Sequence, residues 1–412
     1  REQGLCVVKE LLRNNSFDWI GISSIITQFK KVKELTQIIR SIKSDSIIIM
    51  GGAGPTSIPD LYLTNAGADI VVVGEGEDTV IDLCTTLQKN HDLKKCRGIC
   101  FKDNDRLLRT SKREHIKCID AIPYPAWNKF LSFETYINNF LFKFSSHRGI
   151  NIITSRGCPA QCTYCMRNFG NIVRFRSTKN ILDEIIFLKD SFNIDHFHFI
   201  DDTIATDKQR LLNLCDALVE KNMKITWSAN ARVNQVSRKL LIKMHDAGCI
   251  FLAYGVESGD RTILREMKKG ITPEQAAKAI KWTRKAGIDV RVYFMIGFPS
   301  ETAETIKNSV RFCKKNLVGG EFFFLTPFPG TEIYDYAIKK GKIRYPESYL
   351  QVVGEVRNFV VNLTDNLDNE TLFSLKEDAE AEIRGHLRKN KIAVKESIRV
   401  DPRISLMNLP KI

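Results

Sequence analysis

Short apolar runs alternate with amphipathic stretches from Gly149 to about residue 340. A short apolar run bounded by turn residues predicts a buried strand, whereas apolar positions spaced by three and four residues predict a helix with one buried face. Repeated strand–helix units favour a parallel sheet covered by helices. We count six units, with strands predicted near Asn151–Ser155, Phe197–Asp201, Ile225–Ala229, Phe251–Glu257, Val290–Ile296 and Phe322–Thr326.

Local boundary signals agree with these units. Thr272-Pro273 places proline in a first helical turn, and Gly248 and Gly287 follow the predicted ends of two helices. The sequence therefore predicts the α/β fold class, with a partial (β/α)6 TIM-like barrel over residues 149–340. Active sites of such barrels lie at the carboxyl ends of the strands. The helices are predicted near Asn180–Asp190, Lys208–Lys221, Ser237–Ala247, Pro273–Ala286, Ala303–Lys315 and Glu332–Lys340.

A second strand–helix pattern precedes the barrel. Apolar runs at Phe17–Ser24, Ser46–Met50 and Asp69–Val73 predict strands, and Val32–Ile42 predicts a helix between the first two. Glycine-rich segments follow the second and third strands, at the positions where doubly wound domains bind ligands. This pattern predicts a second α/β domain with its own strand-end site.

Four segments make up the predicted domain plan. Residues 1–91 are predicted to form an incomplete doubly wound, Rossmann-like (flavodoxin-like) domain, because the chain starts with Arg1 and the first strands of such a domain are expected upstream. Residues 92–148 are predicted to form a connector with a hairpin-like pair around Asp103-Asn-Asp105. The barrel follows, and residues 341–412 are predicted to form a helical C-terminal extension.

Composition narrows the class of protein. The 412 residues are 43% hydrophobic and include only 12 prolines, which favours two or three globular domains. No apolar run is long enough to span a membrane and no signal-peptide pattern is present at the start, so we expect a cytoplasmic protein. The formal charge of +14 is spread through predicted helices such as Lys30–Lys43 and Lys239–Lys285. These lysines are interpreted as solvated helix faces, and a nucleic-acid partner is not favoured.

Three of the eleven cysteines stand in a distinctive pattern. Cys158, Cys162 and Cys165 form a CxxxCxxC motif directly after the first predicted barrel strand, whereas the other eight are scattered. Three thiolates bind three irons of a 4Fe-4S cluster and leave the fourth iron open to a substrate or cofactor. The motif therefore predicts a catalytic cluster. Cys96 and Cys100 lack a third partner at ligand spacing, so we predict no second metal site there.

With Tyr164 as the aromatic residue before the last cysteine, the motif resembles that of the radical S-adenosylmethionine (SAM) superfamily. The resemblance implies a 4Fe-4S cluster whose open iron chelates SAM. It implies that the reduced cluster cleaves SAM to a 5′-deoxyadenosyl radical. It also implies a small-molecule substrate and an electron donor such as flavodoxin or ferredoxin.

The resemblance extends to the other strand ends and implies a set of SAM-binding residues. Two alternatives remain open: Asp201 and Asp202 would cap the following helix, and Arg232 and Glu257 would form a buried salt bridge. The implied SAM-binding residues are Tyr164, Asp201, Asp202, Arg232, Glu257, Ser258 and Gly297.

The N-terminal domain resembles the cobalamin-binding domain that precedes the barrel in a large subgroup of this superfamily. That subgroup includes cobalamin-dependent methyltransferases and the anaerobic porphyrin ring cyclase. No Asp-x-His-x-x-Gly motif occurs, so the lower ligand of the cobalt stays undetermined, and a cofactor-free packing domain is the alternative. The implied cobalamin-binding residues are Ser23, Ser24, Gly51, Gly52, Gly74, Glu75 and Gly76.

The resemblance implies a cobalamin-dependent radical SAM methyltransferase that acts on an unactivated carbon or phosphorus centre. A non-methylating cyclase or rearrangement enzyme of tetrapyrrole, lipid or natural-product metabolism is the first alternative. Methylthiolation of transfer RNA fits less well, because neither the cysteine-bearing N-terminal domain nor the terminal RNA-binding barrel of that family is visible. An iron–sulfur protein that binds RNA as a regulator is a more distant alternative.

Overall fold

The computed structural model describes residues 2–104, 106–131, 133–138, 148–353 and 361–392. Within them the chain forms a five-stranded sheet, a six-stranded sheet and a two-stranded ribbon. None of the helices in this described part combines the length and apolarity needed to cross a bilayer.

The N-terminal half forms a mixed sheet with strand order β1-β2-β3-β4-β5. The first three strands are parallel, as the apolar runs predict, and Ser23 at the end of β1 lies opposite Gly51 at the end of β2. These elements are α1 (Glu2–Asn14), β1 (Trp19–Ser23), α2 (Phe29–Ile42), β2 (Ile47–Gly51), α3 (Ala53–Ser57), α4 (Pro59–Asn65), β3 (Ile70–Val72), α5 (Glu77–Gln88), β4 (Ile99–Asp103) and β5 (Arg106–Arg109).

The predicted boundary between this domain and the connector is corrected by the structure. β4 and β5 form the predicted hairpin, but the hairpin extends the N-terminal sheet beyond residue 91, with Val71 paired to Cys100. The cause is hydrophobic, because Ile99 and Phe101 pack in a small core with Ile70 and Val72. The sheet therefore includes the first part of the predicted connector.

The barrel follows the sequence prediction closely. Its six strands are parallel and adjacent in chain order, β6-β9-β10-β11-β12-β13. The elements from the connector to the last barrel helix are α6 (Phe133–Asn138), β6 (Gly149–Ile152), β7 (Ser155–Arg156), β8 (Arg174–Phe175), α7 (Thr178–Phe192), β9 (His196–Phe199), α8 (Lys208–Glu220), β10 (Thr226–Ala231), α9 (Arg238–Asp246), β11 (Cys249–Glu257), α10 (Arg261–Glu266), α11 (Pro273–Lys285), β12 (Asp289–Ile296), α12 (Ala303–Lys315), β13 (Gly320–Phe324) and α13 (Glu332–Lys339).

Capping and core packing fix these units in place. At the start of α11, Thr272 and Gln275 form a reciprocal capping box. Between the sheet and its helices, the Trp227 ring stacks on Phe199 with centroids 5.0 Å apart, and its indole N–H donates to the carbonyl of Ala247 at 2.8 Å. A buried tryptophan thus keeps its polar atom satisfied.

Two helices of the described part follow the last barrel helix. They are α14 (Pro346–Val352) and α15 (Asn369–Lys389), which lie in the segment predicted as a helical extension. α15 packs on α12 and β13, and Glu380 accepts a hydrogen bond from the amide of Phe322 at the outer edge of β13, at 3.3 Å. A side chain thus satisfies part of the exposed sheet edge. Residues 393–412 of the predicted extension lie outside the described residues.

Candidate active site

The cysteine motif lies in the loop between β7 and β8, at the carboxyl ends of the barrel strands. Cys162 is buried, and a guanidinium nitrogen of Arg232, at the end of β10, lies 3.5 Å from its sulfur. Partial desolvation, followed by the negative charges of Cys162, Asp202 and Cys158, raises the pKa of the Cys165 thiol to about 11. Cys165 therefore lies in the electrostatic field of the other two motif cysteines.

The donor chemistry of the cysteine loop fits a 4Fe-4S cluster, because thiolates are the usual ligands of such clusters. Among the described residues, no three His, Cys, Asp or Glu side chains converge on one point where an ion would bind. A 4Fe-4S cluster binds each thiolate through a different iron, so its three cysteines surround the cluster without converging. Two neighbouring loops fix the cysteine loop, because the amide of Thr163 donates to the carbonyl of Met267 at 3.0 Å and its carbonyl accepts from Ile333 at 3.1 Å. These features fit the cluster that the motif predicts.

Asp201 fixes the start of the cysteine loop. Its buried carboxylate accepts hydrogen bonds from the amides of Thr154 and Ser155, at 2.6 and 2.8 Å, and from the hydroxyl of Thr154. Burial outweighs these bonds and raises the pKa of Asp201. The carboxylate is thus committed to the protein backbone, and the predicted contact with SAM gains no support from this geometry.

Asp202 is in a different environment from its neighbour. Much of the residue is exposed, although its carboxylate is partly desolvated, and its charge acts on Cys165. Burial of its carboxylate and the nearby charge of Asp201 raise the pKa of Asp202. Neither aspartate caps the following helix, because Asp207 does so by accepting from the amide of Arg210 at 3.0 Å. Of the two aspartates, Asp202 is thus the one whose charge acts on the cysteine loop.

Glu257 ends β11 and belongs to a buried polar group at the centre of the site. Its carboxylate accepts from the ammonium of Lys269 at 2.8 Å, and that ammonium also donates to the hydroxyl of Tyr164 at 3.1 Å. The expected alternative of an Arg232–Glu257 salt bridge is wrong, because Arg232 instead donates to the carbonyl of Lys269. Glu257 has a φ of 67°, a left-handed conformation that is costly for a residue other than glycine.

Lys269 is the functional candidate that the sequence did not reveal. Its place among the lysines of Lys239–Lys285 predicts a solvated side chain, yet this side chain is only 8% exposed. Burial also affects its partner Tyr164, whose pKa is raised well above its usual value, first by desolvation and then by the charge of Glu257. The only signal in the sequence is the position of Lys269 in a short loop after the β11 unit.

Two further predicted SAM residues lie at neighbouring strand ends. Gly297, with a φ of 107°, follows β12, and the next residue, Phe298, packs its ring edge-on against Tyr164 with centroids 6.1 Å apart. Ser258 is buried, and its hydroxyl accepts from the amide of Asp260 at 3.0 Å. The structure thus brings Tyr164 and Gly297 to one side of the cysteine loop, whereas the Ser258 hydroxyl serves its own turn.

The predicted cobalamin residues meet at the carboxyl ends of β1, β2 and β3. Ser23 is exposed beside Gly51, and a Cβ added to Gly74 would point into open space. Gly52 approaches the backbone so closely that a Cβ would lie 2.7 Å from the carbonyl oxygen of Ser24. This edge offers a hydroxyl and glycines without bulky side chains, which fits the tail of a nucleotide-bearing cofactor.

Glu75 follows Gly74, and its carboxylate is turned to donors from the barrel domain and the connector. Its carboxylate accepts from Arg156 at 2.8 Å, from Arg174 at 2.7 Å and from the amide of Ile116 at 2.8 Å. Burial alone would raise its pKa, but the hydrogen bonds from Arg174 and Arg156 outweigh burial and hold the pKa at about 2. Gly76 follows at the N-terminus of α5. The predicted cobalamin contact of Glu75 therefore gains no support, since its oxygens are already engaged.

Family comparisons match both halves of the chain. Residues 152–313 match the model of the radical SAM superfamily. Residues 7–83 match the model of the B12 binding domain. The first match contains the cysteine motif and the ends of β10, β11 and β12, and the second contains the glycine-rich strand ends.

Two curated relatives align with most of the chain. An uncharacterized methyltransferase of Pyrococcus horikoshii is 30% identical over 335 residues, which cover 80% of this chain and 72% of the relative. The cytidylyl-2-hydroxyethylphosphonate methyltransferase of Streptomyces wedmorensis is 26% identical over 395 residues, which cover 87% of this chain and 73% of the relative.

A solved structure shares the fold of both domains. The radical SAM methyltransferase TsrM of Kitasatospora setae, solved with cobalamin and a 4Fe-4S cluster, superposes with a TM-score of 0.72. The match covers 92% of this chain and 82% of that protein at 17% sequence identity. At this identity the likeness establishes the fold alone.

Proposed function

We infer the function of this chain from its family, because it belongs to the radical SAM superfamily and carries a B12-binding domain ahead of the barrel. We propose that it is a cobalamin-dependent methyltransferase that acts on an unactivated carbon or phosphorus centre of a small molecule. The observation that carries the proposal is the presence of a three-cysteine loop and a glycine-rich strand-end site in one chain, with an alignment over most of its length to a methyltransferase.

The chain's own residues divide the work at the barrel mouth. Cys158, Cys162 and Cys165 would hold the 4Fe-4S cluster. When bound, the cluster, SAM and cobalamin would supply the radical and the methyl group. Asp202 would bind the SAM ammonium group, and Glu257 would accept hydrogen bonds from ribose hydroxyls, since both present acidic oxygens near the cysteine loop.

The remaining predicted residues would shape the two pockets. Arg232 would attract a carboxylate next to Cys162, and Gly297 with Phe298 would border a flat ring beside Tyr164. Ser23 and the glycines at the ends of β2 and β3 would leave room for cobalamin. Burial of Glu257 and Lys269 keeps water away from this part of the site, which a reactive radical requires.

Two further features of the setting are part of the proposal. A flavodoxin or ferredoxin would supply the electron that the cluster needs. A cytoplasmic location is supported by the cysteines, since none of the eleven forms a disulfide, as is usual in a reducing compartment.

The direct test is anaerobic incubation of the iron-loaded, reduced protein with SAM and hydroxocobalamin. We expect 5′-deoxyadenosine and a bound-cobalamin spectrum, and a variant with alanine at all three motif cysteines should retain the cobalamin spectrum but yield no 5′-deoxyadenosine. Absence of 5′-deoxyadenosine from the wild type would refute the radical function. Absence of bound cobalamin would refute the methyltransferase assignment. With a candidate substrate, a product lacking the mass of an added methyl group would instead favour the cyclase or rearrangement alternative.

A further inference from the structure

A buried ion-pair cluster joins the N-terminal sheet to the loop that carries the cysteines. Glu75 follows β3, whereas Arg156 and Arg174 face each other across the β7–β8 ribbon at the base of the cysteine loop. The side chains are 4%, 12% and 10% exposed in that order. The cluster therefore connects two domains through groups that water scarcely reaches.

The contacts of Glu75 are numerous and come from three segments. Arg156 and Arg174 both donate to one carboxylate oxygen, at 2.8 and 2.9 Å, and Arg174 also donates to the other at 2.7 Å. That second oxygen accepts from the amide of Ile116 at 2.8 Å and lies 3.3 Å from a ring nitrogen of His115. A carboxylate held by two guanidinium groups and a backbone amide has little freedom to move.

The arginines in turn fix the geometry of the cysteine loop. Arg156 lies two residues before Cys158, donates to Glu77 at 2.5 Å and stacks over the ring of Phe169 at 5.0 Å. Arg174 donates to the carbonyl of Phe169 at 3.2 Å. Phe169 is part of the same loop as the cysteines, so both arginines join the inside of this loop to Glu75.

We propose that Glu75 is a positioning residue that couples the strand-end cobalamin site to the cluster loop through Arg156 and Arg174. The inference rests on the proposed cobalamin and cluster sites. Gly74, whose φ of 89° turns the chain after β3, immediately precedes Glu75. A change in the backbone at the cobalamin site therefore moves Glu75 and, through Arg156 and Arg174, the β7–β8 ribbon. Binding of the cluster in the cysteine loop acts along the same contacts in the opposite direction, on the backbone near Glu75.

Glu75→Gln is the main test variant, because it removes the charge and keeps the shape. Asp78→Asn is the matched control: Asp78 lies on the same helix start, is exposed and makes no ion pair within the described part of the chain. Hydrogen exchange of the iron-loaded full chain is measured by mass spectrometry with and without hydroxocobalamin. Exchange at residues 74–77 is also compared before and after cluster loading.

In the wild type and in Asp78→Asn, cobalamin is expected to slow exchange at residues 156–175 by about tenfold. Cluster loading is expected to slow exchange at residues 74–77 in the same two proteins. At a hydroxocobalamin concentration that saturates each protein, as checked by its bound-cobalamin spectrum, Glu75→Gln should show neither long-range effect. If Glu75→Gln loads iron poorly, Arg174→Lys, which keeps the charge but removes the forked donor, should show the same loss of coupling.

Three outcomes would overturn the inference: long-range protection that survives in Glu75→Gln, long-range protection that is absent from the wild type, or protection that is lost equally in Asp78→Asn. Failure of the wild type to bind cobalamin would instead refute the proposed cofactor. The cluster-loading comparison alone would then decide the role of Glu75.

Discussion

Replacement of Lys269 by methionine is the sharpest test of the buried polar group beneath the proposed SAM site. Lys269 and Glu257 form an ion pair at 2.8 Å, with side chains only 8% and 10% exposed. Methionine keeps the apolar length of lysine but leaves the Glu257 carboxylate without its cation. Loss of one partner of a buried ion pair typically costs about 3–5 kcal/mol.

The neighbouring lysine provides a matched control. Lys268 pairs with Glu332 at 2.6 Å, but the two side chains are 53% and 47% exposed. Exposed pairs of this kind contribute about 0–1 kcal/mol. Lys268→Met therefore removes an ion pair of similar length one residue away, and it separates the effect of burial from the effect of charge.

The assay is urea denaturation of both variants at equal iron content, followed by titration with SAM. We expect Lys269→Met to lower the free energy of unfolding by about 3–5 kcal/mol and Lys268→Met by less than about 1 kcal/mol. Because Lys269 orients Glu257, SAM affinity should fall by about tenfold to a hundredfold in Lys269→Met, as expected for loss of a hydrogen bond to a charged group. Adding Glu257→Gln to Lys269→Met should recover part of the stability but not the affinity.

Two results would refute this reasoning. Equal losses of stability in Lys268→Met and Lys269→Met would show that burial does not set the strength of the pair. Unchanged SAM affinity in Lys269→Met would show that the orientation of Glu257 does not matter for binding.

Three further predictions test individual positions. Asp201→Ala should lower the iron content, because it removes the oxygen that accepts hydrogen bonds from the amides of Thr154 and Ser155. Asp202→Ala should keep the iron and weaken SAM binding, as iron analysis and SAM titration would show. Gly52→Ala should lower the free energy of unfolding by about 1–3 kcal/mol in urea denaturation, because Gly52 has a positive φ and the added Cβ would meet the Ser24 carbonyl. Gly76→Ala is the control: its added Cβ would lie 3.9 Å from the nearest atom, a methyl carbon of Val72, so the cost should be less than about 1 kcal/mol. Burial raises the pKa of Glu301 from 4.5 to about 7, so between these pH values the folded chain retains a proton that the unfolded chain loses. The free energy of unfolding, relative to that of Glu301→Gln, should therefore fall by about 3 kcal/mol as the pH rises from 4.5 to 7. A difference between the two proteins that does not change with pH would contradict the raised pKa.

The barrel could be predicted from sequence because its signals are local and repeated. The periodicity of Ala303–Lys315 and the proline and threonine at the start of α11 each identify an element without reference to distant residues. The β4–β5 hairpin was predicted as a hairpin for the same reason. Its membership of the N-terminal sheet depends on edge pairing between Val71 and Cys100, which local patterns do not encode.

The partners of the two key glutamates were missed for a common physical reason. Glu75 and Glu257 both follow buried strands, where a family resemblance implies contact with a ligand, yet a buried carboxylate also requires a cation or several donors from the protein. Those donors come from loops that are distant in sequence, Arg174 for Glu75 and Lys269 for Glu257. A glutamate at such a strand end is therefore better interpreted as a bridge between its strand and another loop. A basic residue of that loop forms an ion pair with the carboxylate and fixes its position. The bridge from Lys269 fixes Glu257 among the residues of the proposed SAM site. The oxygens of Glu75 are engaged by Arg156, Arg174 and the amide of Ile116, and for this reason we propose coupling between domains as its role.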